Sequence, residues 1–124
     1  MDNLKIMAYH NDLGKRGEEI ACRYLQEKGY AILETNFRFG RGEIDVIAKQ
    51  QETIVFVEVK TRSSNKYGYP EESVTESKKE KLKETAMEYL IKNDLQNEIR
   101  FDVVTITAVR DAIHICHIED AFFH

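Results

Sequence analysis

The amino-acid sequence predicts one α/β domain over residues 1–124, with the element order α-β-β-β-α-β-β, and three observations carry that reading. Two apolar runs, GEIDVIAKQ from Gly42 and TIVFVEVKTR from Thr53, are separated by Gln50, Gln51 and Glu52, a connection short enough to make them an antiparallel hairpin. On either side of this pair, apolar residues recur at helical spacing: Ile20, Ala21, Tyr24 and Leu25 before it, and Leu82, Ala86 and Tyr89 after it. A length of 124 residues with 42% hydrophobic content is enough for one buried core.

The first helix is predicted from about Asp12 to Lys28, with Ile20, Ala21, Tyr24 and Leu25 as its buried stripe and Gly29 as a left-handed stop. Strands are expected over Ala31 to Phe37, Glu43 to Lys49 and Thr53 to Lys60. A polar loop with Gly68 and Pro70 leads to a second helix, whose start is signalled by Ser73, Val74, Thr75 and Glu76, a capping box, and which reaches about Ile91. Strands near Arg100 to Thr107 and Ala112 to Ile118 complete the order. No repeat, low-complexity tract or linker interrupts it.

Composition narrows the function classes. No stretch approaches the length of a membrane span, and the N-terminus lacks the basic, apolar, small-residue succession of a signal peptide, so the chain reads as cytoplasmic. Cys22 and Cys116 stand singly in apolar surroundings, which predicts reduced core thiols rather than a disulfide or half of a zinc site. A net charge of -4 argues against indiscriminate phosphate binding but leaves room for a local basic face.

The charges inside the apolar runs carry the chemistry. Glu58 and Lys60 are two apart among Ile54, Val55, Phe56, Val57 and Val59, so strand alternation points both to one side. On the preceding strand, Glu43, Asp45 and Ile47 share one face and Ile44, Val46 and Ala48 the other. A hairpin then brings Asp45 near the Glu58 and Lys60 end. Oxygen ligands of this kind suit a hard cation such as Mg²⁺, with Mn²⁺ as a substitute, which binds through one or two carboxylates plus substrate phosphate. A solvated salt bridge between Glu58 and Lys60 is the plainer explanation, but it leaves Asp45 and Glu18 as coincidences.

GEID followed by VEVK resembles the PD-(D/E)XK nuclease superfamily, in which an acidic residue on one strand precedes an acidic-x-Lys triplet on the next. The whole chain is similar to the small bacterial YraN family, related to Holliday-junction resolvases, through KRGEEIACRYL from Lys15, GEIDVIA, FVEVKTR, the Lys78 helix and RFDVV from Arg100. Ile44, not proline, precedes Asp45. The resemblance implies a restriction-endonuclease-like fold, a mixed central β-sheet flanked by helices, and metal-dependent cleavage of DNA. It implies that Asp45 and Glu58 hold the metal with the backbone carbonyl of Val59, and that Lys60 orients the attacking water or stabilises the transition state. It also carries a helix carboxylate over to Glu18, which lies on the side of Ala21, Cys22 and Leu25.

Arg38, Arg41, Arg62 and Lys66 flank these residues and form a candidate basic rim for nucleic acid. In the Lys78, Lys79, Lys81, Lys83 run, usually a solvated face, Lys78 shares a side with Leu82, Ala86 and Tyr89 and so leans toward the sheet. Asp102 is expected to pair structurally, and His114 and His117, three apart on a strand, to face opposite ways. A non-catalytic nucleic-acid-binding module is the alternative function. A third expectation is a partner-docking tail at Phe122 and Phe123, with a homodimer as one outcome.

Overall fold

The computed structural model describes residues 16–62, 75–110 and 112–123. Helix α1 covers residues 16–27 of that range. The strands are β1 (Ala31–Phe39), β2 (Gly42–Gln50), β3 (Thr53–Arg62), β4 (Ile99–Val109) and β5 (Ala112–Ile118), with α2 (Glu76–Lys92) between β3 and β4. They form one five-stranded mixed sheet whose spatial order follows the chain, β1-β2-β3-β4-β5. All neighbours are antiparallel except β3 and β4, which run parallel and are therefore joined by the crossover through α2.

The two helices cover opposite faces. Ala21 and Leu25 of α1 pack with Val46, Ala48, Val55, Val57, Val104, Ile106 and Ala108, while Leu82, Ala86, Tyr89 and Leu90 of α2 pack with Ile47, Ile54, Phe56, Phe101 and Val103. This is why the two central strands read as near-continuous apolar runs rather than alternating ones. Gly29 adopts a φ of 94° and ends α1 as the sequence suggests.

Several expectations need correction. Ile44 does not share the face of Val46 and Ala48; it joins Ile47 in the cluster under α2, so β2 changes face at Asp45. The pairing of β2 with β3 stops at Val46↔Val57, and beyond that point β2 is free to turn toward α2. Gly42 shows how close it comes: a Cβ there would overlap the Thr85 hydroxyl and lie 3.1 Å from the Lys81 carbonyl. Helix α2 is capped by Thr75, whose side chain accepts from the Lys78 amide at 3.2 Å, and not through a box begun at Ser73, which lies outside the described residues. Cys116 is exposed rather than a core thiol, because β5 is an edge strand with one face uncovered; Cys22 is half-buried, and burial raises its thiol pKa. Phe122, expected in a docking tail, is 3% exposed in this chain's own core, and Phe123 packs edge-on to Phe101 with ring centres 4.8 Å apart.

Candidate active site

The change of face in β2 builds the site. Where the ladder to β3 ends, the amide of Val59 donates to Asp45 Oδ2 at 2.8 Å, so the carboxylate takes the place of a strand partner. Asp45 and Glu58 line one pocket there, close enough for the charge of Glu58 to act on Asp45. Glu58, 8% exposed, is held by two ammonium groups: Lys78 Nζ at 2.9 Å and Lys60 Nζ at 3.4 Å from the same Oε1. Lys60 comes from the same face of β3, and Lys78 from the first turn of α2, which Thr75 anchors. A pocket of about 190 Å³ opens here, lined by Arg41, Gly42, Glu43, Asp45, Glu58, Lys78, Lys81 and Leu82. A larger groove of about 380 Å³ beside Glu52, Thr53 and Glu98 lies away from this cluster and gathers no comparable set of charges.

The electrostatics are those of two acids forced together. Burial pushes the Asp45 pKa up to about 7, the Glu58 charge pushes the same way, and the Val59 hydrogen bond only partly opposes them. Glu18 and Glu43 add smaller upward pushes. Burial lowers the Lys60 pKa, helped by the neighbouring Lys78. For Lys78 burial acts downward too, but the hydrogen bonds to Lys60 and Glu58 and the charges of Glu58 and Asp45 leave it raised. Lys60 is therefore the lysine more ready to give up a proton.

Of the residues expected at the site, Arg41, Asp45, Glu58 and Lys78 line the pocket and Lys60 is bonded to it through Glu58. Glu18 is half-buried on α1; it does not line the pocket but lies near enough for its charge to act on Asp45. Gly17 explains its position, since a Cβ there would overlap the Thr61 methyl and the start of α1 thus lies on the end of β3. Arg62 is half-buried at the end of β3, Arg38 is paired with Glu43 at 2.6 Å, and Lys66 lies outside the described residues. Lys81 was missed as a lining residue. Its spacing of three from Lys78 was the available signal, obscured by the surrounding lysines.

Asp102 belongs to a separate, structural network. It is fully buried and accepts from Arg100 at 2.9 Å twice, from the Asp120 amide at 3.0 Å, and pairs with His117 Nε2 at 2.7 Å. His114 is exposed, on the other face from His117. Among the described residues, no three of the His, Cys, Asp and Glu side chains converge closely enough to hold a metal by themselves, and no helix is long and apolar enough to cross a membrane.

Comparison with known proteins places the chain in a family. The model of the uncharacterised protein family UPF0102 matches residues 17–106, a span that includes Glu18, Asp45, Glu58, Lys60 and Lys78. A UPF0102 protein of Flavobacterium psychrophilum is 50% identical over 118 residues, covering 95% of this chain and 99% of its own. A relative from Thermodesulfovibrio yellowstonii is 49% identical over 112 residues, 90% of this chain and 96% of its own. One from Clostridioides difficile is 47% identical over 114 residues, 91% and 98% respectively. The chain belongs to the UPF0102 family, the YraN group its sequence resembles.

Proposed function

We propose that this protein is a metal-dependent endonuclease that hydrolyses DNA phosphodiester bonds and selects substrates by structure. The observation that carries the reading is the juxtaposition of Asp45 and Glu58 in one pocket where the β2–β3 ladder ends, with Lys60 and Lys78 on the Glu58 carboxylate. A half-buried Asp45 beside a buried Glu58 is repelled by it, and a shared divalent cation relieves that repulsion. In an antiparallel ladder a residue's carbonyl leaves the strand on the same edge as its amide, so the Val59 oxygen is directed to the edge where Asp45 lies. Asp45, Glu58 and the Val59 carbonyl form an all-oxygen donor set that fits Mg²⁺ or Mn²⁺, with water and phosphate completing it, better than zinc.

When bound, such an ion would supply Lewis acidity at the phosphoryl oxygens and the attacking water. The chain's own groups would do the rest. Lys60, with its lowered pKa, would orient the water and help move its proton. Lys78, kept charged, and Arg41 and Lys81 around the pocket would hold the phosphate backbone, with Arg62 at the end of β3 as a further basic group. Contacts of this type sense backbone shape rather than base order, which points to branched or single-strand-containing DNA in the cytoplasm, bound by one copy or a homodimer.

The two lysines that neutralise Glu58 also favour a second reading, a nucleic-acid-binding module without turnover. Incubation of linear, flapped, forked and four-way DNAs with Mg²⁺ or Mn²⁺ separates the two. Cleavage that Glu58→Ala and Lys60→Ala each abolish, with fold and DNA affinity retained, is expected of the nuclease. Binding without cleavage by the wild type on every substrate would establish the module instead.

A further inference from the structure

One side-chain atom next to the site has no partner. Thr105 on β4 is 5% exposed, and its hydroxyl oxygen is buried without any hydrogen bond, the one such side-chain atom found among the described residues. Buried hydroxyls are as a rule paired, and an exception near ionised groups calls for an explanation. Packing does not supply one, because beside Thr107 β4 is built here of Val103, Val104, Ile106 and Ala108, and a valine would fill the same shape without the unpaired oxygen.

Register does supply one. In the parallel pairing of β3 with β4, Thr105 is the partner of Lys60, so the two side chains rise from one face on strands about 4.8 Å apart. On its other side Thr105 pairs with Cys116, a weak donor and acceptor, and along its own strand its neighbours on that face are Val103 and Thr107, neither of which bonds its hydroxyl. Lys60 is the adjacent charged donor. It is also loosely held, at 3.4 Å from a Glu58 oxygen that Lys78 approaches to 2.9 Å.

We propose that Thr105 is a positioning residue for Lys60: when a divalent cation takes the Glu58 carboxylate, the Thr105 hydroxyl accepts a hydrogen bond from the displaced Lys60 ammonium and keeps it beside the site. This inference rests on the reading that Asp45 and Glu58 hold a divalent cation. An acceptor already buried and waiting lowers the cost of moving the lysine, so the hydroxyl contributes to cation affinity although it touches no ion.

The test is calorimetric titration of Mn²⁺ alone into wild type, Thr105→Val and Thr105→Ser, with melting of each variant in the absence of metal. Thr105→Val is expected to melt at or above the wild-type temperature yet bind Mn²⁺ about three- to tenfold more weakly, the span of one ordinary hydrogen bond, while Thr105→Ser binds as wild type. In a Lys60→Met background the valine substitution should no longer change Mn²⁺ affinity. Unchanged affinity in Thr105→Val, or the same loss with Lys60 absent, overturns the inference while leaving the metal site standing. A wild type that shows no Mn²⁺ binding sensitive to Asp45→Ala overturns the metal reading and this inference with it.

Discussion

Asp45 carries the largest penalty of any single group near the site. Its pKa is about 7 in the fold against 3.8 for the free side chain, so the folded state binds the proton more tightly and stability falls as pH rises between those values. The penalty is absent below the lower value and complete above the upper. Asp45→Asn should therefore stabilise the metal-free protein at pH 8 by about 2–4 kcal/mol, less whatever the weaker Val59 hydrogen bond forfeits, with the gain fading toward pH 4. Thermal melts across that pH range check it, and a gain that does not vary with pH would remove the ionised carboxylate as its cause. At this scale the sequence was legible where strand alternation governs: Glu58 and Lys60 share a face as their spacing requires. Lys81 and Thr105 were not legible, since one depends on how α2 lies over β2 and the other on a parallel register that no local spacing encodes.

At the scale of elements, the decisive event is the turn of β2 away from β3 and toward α2. Strand periodicity alone put Ile44 with Val46, and the assignment failed because alternation assumes a strand that stays paired to its end. The close approach of Gly42 to Thr85 and Lys81 is what permits the turn, and it can be tested. Gly42→Ala should destabilise by about 1–3 kcal/mol through overpacking against a buried helix face, measured by urea denaturation. Its partner substitution Thr85→Ala, which removes the obstructing hydroxyl, should recover part of the loss. No recovery would mean that the backbone carbonyl, not the side chain, sets the limit. Boundaries were readable where turns are short, as at β5, which spans Ala112–Ile118 as expected. The start of α2 was readable only to within two residues, because Ser73 and Thr75 both carry capping chemistry and the structure uses Thr75.

For the whole molecule, Asp102 fastens together segments far apart in the chain. Its carboxylate meets Arg100, His117 and the Asp120 amide, while Arg100 reaches on to Gln50 and Tyr30. Burial alone would raise the Asp102 pKa, but these bonds overcome it and hold it below the usual carboxylate range. The stability it adds is thus present above the unfolded carboxylate pKa and is lost as pH falls through the folded one. Asp102→Ala should cost about 3–5 kcal/mol at neutral pH by stranding Arg100, seen as a drop in the denaturation midpoint without a change in the wild-type unfolding slope. The element order was legible in the residues and the mixed sheet flanked by helices followed from the family resemblance; this fastening was not legible, because it joins residues as far apart as Tyr30 and His117.

The agreement between spatial order and chain order in the sheet bears on how the protein assembles. Strands β1, β2 and β3 pair through consecutive short hairpins, so the meander holding Asp45 and Glu58 closes only small loops. The parallel pairing of β3 with β4 must wait for the α2 crossover, the slow, non-local step. During synthesis the neighbouring acids can thus be brought together early, while Lys78, which pairs with Glu58, arrives with the later half. Until α2 has formed, Lys60, on β3 itself, is the lysine of the pair that can answer Glu58, so the second counter-charge of the site depends on the crossover.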